Sequence, residues 1–296
     1  MPVTHLLLAL AVVFIWGTNF VVIKWGLAEW PPFLFATLRF ALSAFPFLLF
    51  VARPAVRWSK LAFFGVMLGV GQFGVLFWAL RADISPGLAS LLIQSQVFFT
   101  IGLAMAISGE RPRLAQLVAL VPAVAGMALI GTHLDAEVTA LGLALVLLAA
   151  LSWAGANAVA RSAGRVNMLG FMVWSSVFAV PPLLAISLLV EGPTLIGASL
   201  RQASPSAWAT VLWQSIGNSL FGYGVWNWLL ARHPATTVAP LALLVPVFGM
   251  SASALAFGEA MPGWKLQAAA LVLAGLALNT WVSRNSPVAP AQEPTR

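Results

Sequence analysis

The chain contains no cysteine, which excludes disulfides, thiolate nucleophiles and cysteine-based metal sites. Charge is scarce as well. Asp, Glu, Lys and Arg make up 8% of the 296 residues, against about 25% in a soluble domain, too few to cover a water-facing surface of this size. The eight acidic residues all fall at the ends of apolar runs, between them or in the tail. The histidines, His5, His133 and His233, are equally peripheral. No metal-ligand cluster, Gly-rich phosphate loop or nucleophile–base pair occurs. ATP-driven transport is therefore not encoded in this chain. An intramembrane enzyme would need a Ser–His pair, paired Asp or a metal site within the spans, and the sequence supplies none. No catalytic residue, metal or cofactor is expected.

What the chain has instead is apolar surface: 61% of its residues are hydrophobic. Lipid tails accept such surface without cost, so the bilayer is the expected solvent. Ten segments approach the ~20 residues needed to cross the hydrocarbon core: 6–27, 32–51, 61–80, 86–107, 114–131, 138–160, 168–189, 207–230, 237–257 and 264–283. The expected fold class is an all-α polytopic membrane protein. Segment 1 lacks a basic n-region and carries Trp16, Asn19 and Lys24, so it does not read as a cleavable signal. The polar, Pro-rich tail over 284–296 is expected to be disordered and cytoplasmic.

The net charge of +7 has a membrane explanation. No basic stripe marks a soluble face, so nucleic acid is not an expected partner. Of the 15 Lys and Arg, ten lie in the even-numbered connections or the tail: Arg53, Arg57, Lys60, Arg111, Arg113, Arg161, Arg165, Arg232, Arg284 and Arg296. The odd connections hold only Arg81, Arg201 and Lys265. The positive-inside rule then places both termini in the cytoplasm of a cell whose inner (plasma) membrane the chain spans. Lys24 and Arg39 fall within segments.

The two halves repeat. Moved by 150 residues, Gly74, Val75 and Trp78 meet Gly224, Val225 and Trp228, Phe73 meets Tyr223, and Val97-Phe98 meets Val247-Phe248. Moved by 149, Gly109-Glu110 meets Gly258-Glu259. Trp16 precedes Lys24 by the same eight residues that separate Trp153 from Arg161, with Asn19 and Asn157 one position out of register. In segments 2 and 7, Arg39 meets Trp174. The expected repeats are 1–134 and 135–283. Five segments per copy, an odd number, make the second copy enter the membrane from the opposite side. Such inverted repeats mark many alternating-access transporters. A duplication kept only for packing is the bland alternative.

This pattern resembles the drug/metabolite transporter superfamily in its ten-helix EamA-type branch. The resemblance rests on Trp16-Gly17-Thr18-Asn19-Phe20 followed by Lys24, on Leu38-Arg39-Phe40, and on the two Gly-Glu pairs, and it covers about 5–283. Among the branches the chain looks most like bacterial exporters of amino acids, aromatic ones in particular. The resemblance implies a secondary transporter of small metabolites, with nucleotide sugars or drugs as alternative cargo. A single chain in contact with lipid is expected to suffice. Small multidrug-resistance relatives use a membrane-embedded Glu, and this chain has no equivalent.

Polar side chains inside a membrane are expensive, which makes their positions informative. Trp16, Asn19 and Lys24 share a face of segment 1, and Trp153, Asn157 and Arg161 share one of segment 6. Asn19 and Asn157 serve either a solute site or helix–helix hydrogen bonds. Lys24 and Arg161 either line a path or snorkel, and snorkelling is the favoured reading of Arg161. Gln72 follows Gly65 and Gly69 at helical spacing, with Phe73 beside it. Ser90 and Gln94, Gln214 and Asn218, and Tyr223 and Asn227 pair at i, i+4. Amides bind both a carboxylate and an ammonium, and aromatic faces hold rings or cations. The expected substrate-binding set is Trp16, Asn19, Gln72, Phe73, Gln94, Trp153, Asn157, Tyr223 and Trp226. Arg39 either clamps a carboxylate or, as favoured, caps helix carbonyls. Trp25, Trp30, Trp58, Trp208, Trp264 and Trp281 read as interfacial. Rows of small residues, Ala115, Ala119 and Ala123 in segment 5 and Ala270 and Ala274 in segment 10, read as close packing. Segments 1–4 and 6–9 are expected to line a central cavity, with 5 and 10 outside it.

Overall fold

A computed structural model describes residues 1–108, 114–134, 138–164, 166–233 and 235–284. Gly109, Glu110, Arg111, Arg113, Arg165, the side chain of Asn227 and residues 285–296 lie outside the described residues. Among the described residues ten long helices follow one another: α1 Val3–Gly26, α2 Pro32–Leu49, α3 Trp58–Ala82, α4 Pro86–Ile107, α5 Leu114–Gly131, α6 Ala140–Ser162, α7 Met168–Val190, α8 over 205–232, α9 over 235–257 and α10 Gly263–Arg284. Among the described residues nine helices are long and apolar enough to cross a membrane, so the protein is a multi-pass membrane protein. The helix α8 is not among those nine; its middle carries Gln214, Ser215, Asn218 and Ser219.

The termini are written into the sequence. Proline opens α2, α4 and α8 (Pro32, Pro86, Pro205), where its missing N–H is no loss. Ser85, Thr139, Asn167 and Ser204 accept hydrogen bonds from the first-turn N–H groups of α4, α6, α7 and α8. Such a cap is worth about 1 kcal/mol. A further helix, Pro193–Gln202, connects α7 to α8; neither it nor the role of the carboxylate before it was expected from the sequence. Glu191 accepts from the Phe33 and Leu34 N–H groups at 2.6 and 3.0 Å, closing the start of α2.

The halves pack in matching pairs. α1 runs along α9 as α6 runs along α4, and α8 packs on α1 as α3 packs on α6. α2 meets α7, and α5 meets α10. Close approach in the last pair is set by glycine: a Cβ on Gly275 would lie 2.5 Å from the Ala123 nitrogen, and one on Gly126 would lie 2.7 Å from the Ala268 oxygen. The contact row in α10 is thus Ala268, Val272 and Gly275, while Ala270, Ala274 and Ala115 are exposed. This corrects the expected rows, because only one stripe of each helix faces the other.

Two departures from α geometry recur. α3 turns π-helical over Met67–Gly74 and α8 over Trp213–Phe221. α4 and α9 tighten to 3₁₀ over Ile93–Ser95 and Ala239–Leu243. The π stretch re-aims side chains. Gly65 and Gly69 abut Ser175 and Ala179 of α7, whereas Gln72 reaches the central cavity. Gln72 therefore does not share their face, as ordinary helical spacing had predicted.

Candidate functional site

A cavity of about 430 Å³ lies between the halves. From α1 come Trp16 and Asn19, from α3 Gln72 and Phe73, and from α4 Gln94 and Gln96. α6 supplies Trp153 and Asn157, α7 supplies Met168, Phe171 and Met172, and α8 supplies Asn218, Tyr223 and Trp226. All nine residues nominated from the sequence reach this wall. Gln96, Asn279, Thr280 and the α7 group were not anticipated. Asn279, polar within the apolar segment 10, was the signal that could have pointed to α10 and went unused.

Two expectations about the wall are corrected. α10 lines the cavity through Leu276, Asn279 and Thr280, and α2 contributes no lining residue. Asn279 also donates its amide to the Gln116 oxygen of α5 at 3.0 Å, which fixes that side chain at the edge of the cavity. α2 stands one layer behind.

That layer holds Arg39, which is 0% exposed. Its Nη1 donates to Gln214 Oε1 and its Nη2 to Ser219 Oγ, each at 3.1 Å. The guanidinium sits 3.4 Å from the centroid of the Phe73 ring. The favoured expectation of carbonyl capping is therefore corrected: the partners are side-chain oxygens of the π stretch of α8. Gln214 Nε2 in turn donates to Asn19 Oδ1 at 2.7 Å. Ser43 and Ser215 both donate to the Arg39 carbonyl, at 2.9 and 3.0 Å.

Lys24 lies outside the cavity lining. Its ammonium donates to the Leu80 and Arg81 carbonyls at 2.7 and 3.1 Å, closing the end of α3. Arg161 is exposed, in keeping with snorkelling. Trp30 packs inside the protein: it is 1% exposed, and its indole donates to the Ala207 oxygen at 3.0 Å. Trp25, Trp58 and Trp281 are exposed.

The aromatic part of the wall is ordered. The Trp16 indole donates to the Asn218 carbonyl at 3.2 Å, and its ring lies 5.6 Å from Tyr223 and 5.2 Å from Trp226. Gly222 makes room for it, since a Cβ there would lie 2.4 Å from the indole nitrogen. Across the cavity, Asn157 Nδ2 donates to Gln96 Oε1 at 3.4 Å, and that oxygen also accepts from Thr100. Among the described residues the lining carries amides, one phenol and aromatic rings, with no Asp, Glu, His, Lys or Arg. Such a wall binds and orients a solute; it supplies no general acid or base for ordinary bond cleavage.

Outside the spans, Glu259 ties three helices together. It accepts from Ser85 at 2.6 Å, from the Gly87 N–H at 3.1 Å, from Ser253, and from Lys265 at 3.0 Å. Burial pushes its carboxyl up, but the hydrogen bonds from Ser253, Ser85 and Lys265, with the Lys265 charge, outweigh that and hold it below the ordinary glutamate value. Its repeat partner, Glu110, lies outside the described residues.

The profile of the EamA-like transporter family matches residues 3–132 and again 140–281. A probable amino-acid metabolite efflux pump of Salmonella typhimurium is 40% identical, over 93% of this chain and 94% of its own length. The probable amino-acid metabolite efflux pump of Escherichia coli is 38% identical over the same shares. An uncharacterized transporter of Bacillus subtilis, YoaV, is 26% identical over 92% of this chain and 95% of its own. A solved crystal structure shares the fold at a TM-score of 0.64 and 19% identity, covering 96% of this chain and 99% of that one.

Proposed function

The chain belongs to the EamA-like transporter family, and on that premise we propose that it exports amino acids, aromatic and other neutral ones among them, by alternating access. It works as a transporter, not an enzyme. The observation that carries the cargo reading is the wall itself: amides and aromatic rings around about 430 Å³ with, among the described residues, no ionisable side chain except Tyr223. That volume falls within the ~300–1,000 Å³ of small-molecule sites. Amides pair with both charged ends of a zwitterion, and indole and phenol rings cover an apolar or aromatic side chain. A nucleotide sugar would bring phosphates, for which the described residues of the lining offer no Lys or Arg. A cationic drug would find no carboxylate. The efflux-pump names of the two enterobacterial relatives support the direction and the cargo class.

The reading extends to topology. Residues 1–134 and 135–283 act as inverted repeats whose exchange of conformation opens the cavity to either side, with both termini in the cytoplasm and the chain in a bacterial inner membrane. A single chain supplies every lining residue named above, which supports a monomer as the working unit. The test is efflux and counterflow from proteoliposomes with a panel of labelled amino acids. Saturable flux of neutral amino acids is expected. Flux of a nucleotide sugar or a cationic drug, with none of any amino acid, would overturn the reading.

A further inference from the structure

A guanidinium has five N–H donors and no acceptor. That property sets the direction of the hydrogen bonds behind one wall of the cavity. The Gln214 atom facing Arg39, at 3.1 Å, must be the amide oxygen. The amide nitrogen of Gln214 therefore points the other way, 2.7 Å from Asn19. Faced by that N–H, Asn19 must present its oxygen to it. The end of Asn19 left for the cavity is then Nδ2, a donor, and among the described residues it has no protein acceptor. Ser219 agrees with this direction. Its hydroxyl donates to the Gln214 carbonyl at 2.9 Å and accepts from Arg39. Arg39 Nε has no hydrogen-bond partner, and among the described residues no carboxylate pairs with this buried guanidinium.

We propose that Arg39 is a positioning residue that, through Gln214, locks Asn19 with Nδ2 toward the cavity and makes this wall the subsite for the carboxylate of the cargo. The proposal rests on the amino-acid reading of the cavity and adds which end of the molecule binds where. A hydrogen bond to a carboxylate is about twice as strong as one between neutral groups. A cation one layer behind the contact, in a low-dielectric surround, adds to it. Among the described residues no charged side chain directs the opposite wall. Asn157 and Gln96 are two neutral amides, and either can turn over, so that side can meet an ammonium with an oxygen.

The experiment compares transport of phenylalanine with that of phenylethylamine, the same skeleton without the carboxylate, in proteoliposomes. Gln214→Glu is the decisive variant. A carboxylate at that position pairs with Arg39 but offers Asn19 only acceptors, so Asn19 must turn its Nδ2 inward and show Oδ1 to the cavity. Asn19→Leu removes the donor outright. In both variants the ratio of phenylalanine to phenylethylamine transport efficiency is expected to fall about tenfold or more. Thermal unfolding in detergent identifies which variants are folded, and if Gln214→Glu is not, Asn19→Leu decides. A wild-type ratio in a folded variant overturns the proposal alone. Wild-type vesicles that do not move phenylalanine or any other amino acid overturn the amino-acid reading and the proposal with it.

Discussion

Asn19 and Asn157 sit at nearly matching places in the two halves, yet what stands behind them differs. Behind Asn19 run Gln214 and a fully buried Arg39, bracketed by Ser219, Ser215 and the Phe73 ring. Behind Asn157 there is one long amide contact to Gln96 and a threonine. The position matching Arg39 holds Trp174, whose indole donates to the Val51 oxygen at 2.9 Å near the membrane edge. The second wall is pinned elsewhere, at the end of α9, where Glu259 gathers Ser85, Gly87, Ser253 and Lys265. A repeat thus fixes the backbone plan of both halves, while single residues decide which half carries a directed electrostatic field and which stays adaptable.

The largest effect should come from cutting the directed side. Arg39→Ala leaves the Gln214 and Ser219 oxygens without their donor, removes the cation from the Phe73 face and opens a void. A loss of about 3 kcal/mol or more is expected. Asn157→Ala breaks one 3.4 Å contact and should cost less than about 1 kcal/mol. Thermal unfolding of the two purified variants compares them directly, and equal losses would erase the asymmetry.

The aromatic pair tests the same contrast in transport. Trp16→Ala removes a ring packed against Tyr223 and Trp226 together with the bond to the Asn218 carbonyl. Trp153→Ala removes a lining ring from the opposite wall. Both are expected to lower initial efflux rates without loss of membrane insertion, Trp16→Ala by roughly tenfold and Trp153→Ala by less. Unchanged flux in both at wild-type expression would remove these rings from the site.

The Glu259 clasp predicts a pH dependence. Its folded carboxyl titrates below the ordinary value. A depressed carboxylate contributes stability that is complete above its unfolded pKa and is lost as pH falls through the folded one. The melting temperature should therefore drop on acidification below about pH 4, and the drop should be shallower in Glu259→Gln. Parallel pH profiles for the two proteins would show that the clasp is not responsible.

The smallest expected effect is none. Proton coupling needs a group that gains and loses a proton along the path, and among the described residues the lining offers neither Asp, Glu nor His. Lys24, the one candidate cation of α1 for that role, is spent on the Leu80 and Arg81 carbonyls. Export driven by the cargo's own gradient should be indifferent to an imposed pH gradient. Uphill accumulation that follows the gradient and collapses with a protonophore would break this expectation.

The sequence by itself determined the solvent, the class and the repeat. Sparse charge and long apolar runs admit only spanning helices, because the bilayer core leaves no other way to satisfy the backbone. It also identified the polar residues worth following, since an amide in lipid must face protein or cavity: Asn19, Gln72, Gln94 and Asn157 all reach the wall. The tertiary structure decided which of them are tethered and in what direction. Helical spacing assumes 3.6 residues per turn, so the π stretches at Met67–Gly74 and Trp213–Phe221 moved Gln72 off the glycine face and brought Gln214 onto Arg39. Periodicity also could not tell that α10 places Asn279 at the cavity while α2 stays behind it, or that Trp30 is buried. Those outcomes depend on how helices distant in sequence meet, and a hydrogen bond across 175 positions, such as that from Arg39 to Gln214, leaves no trace in the local pattern of either helix.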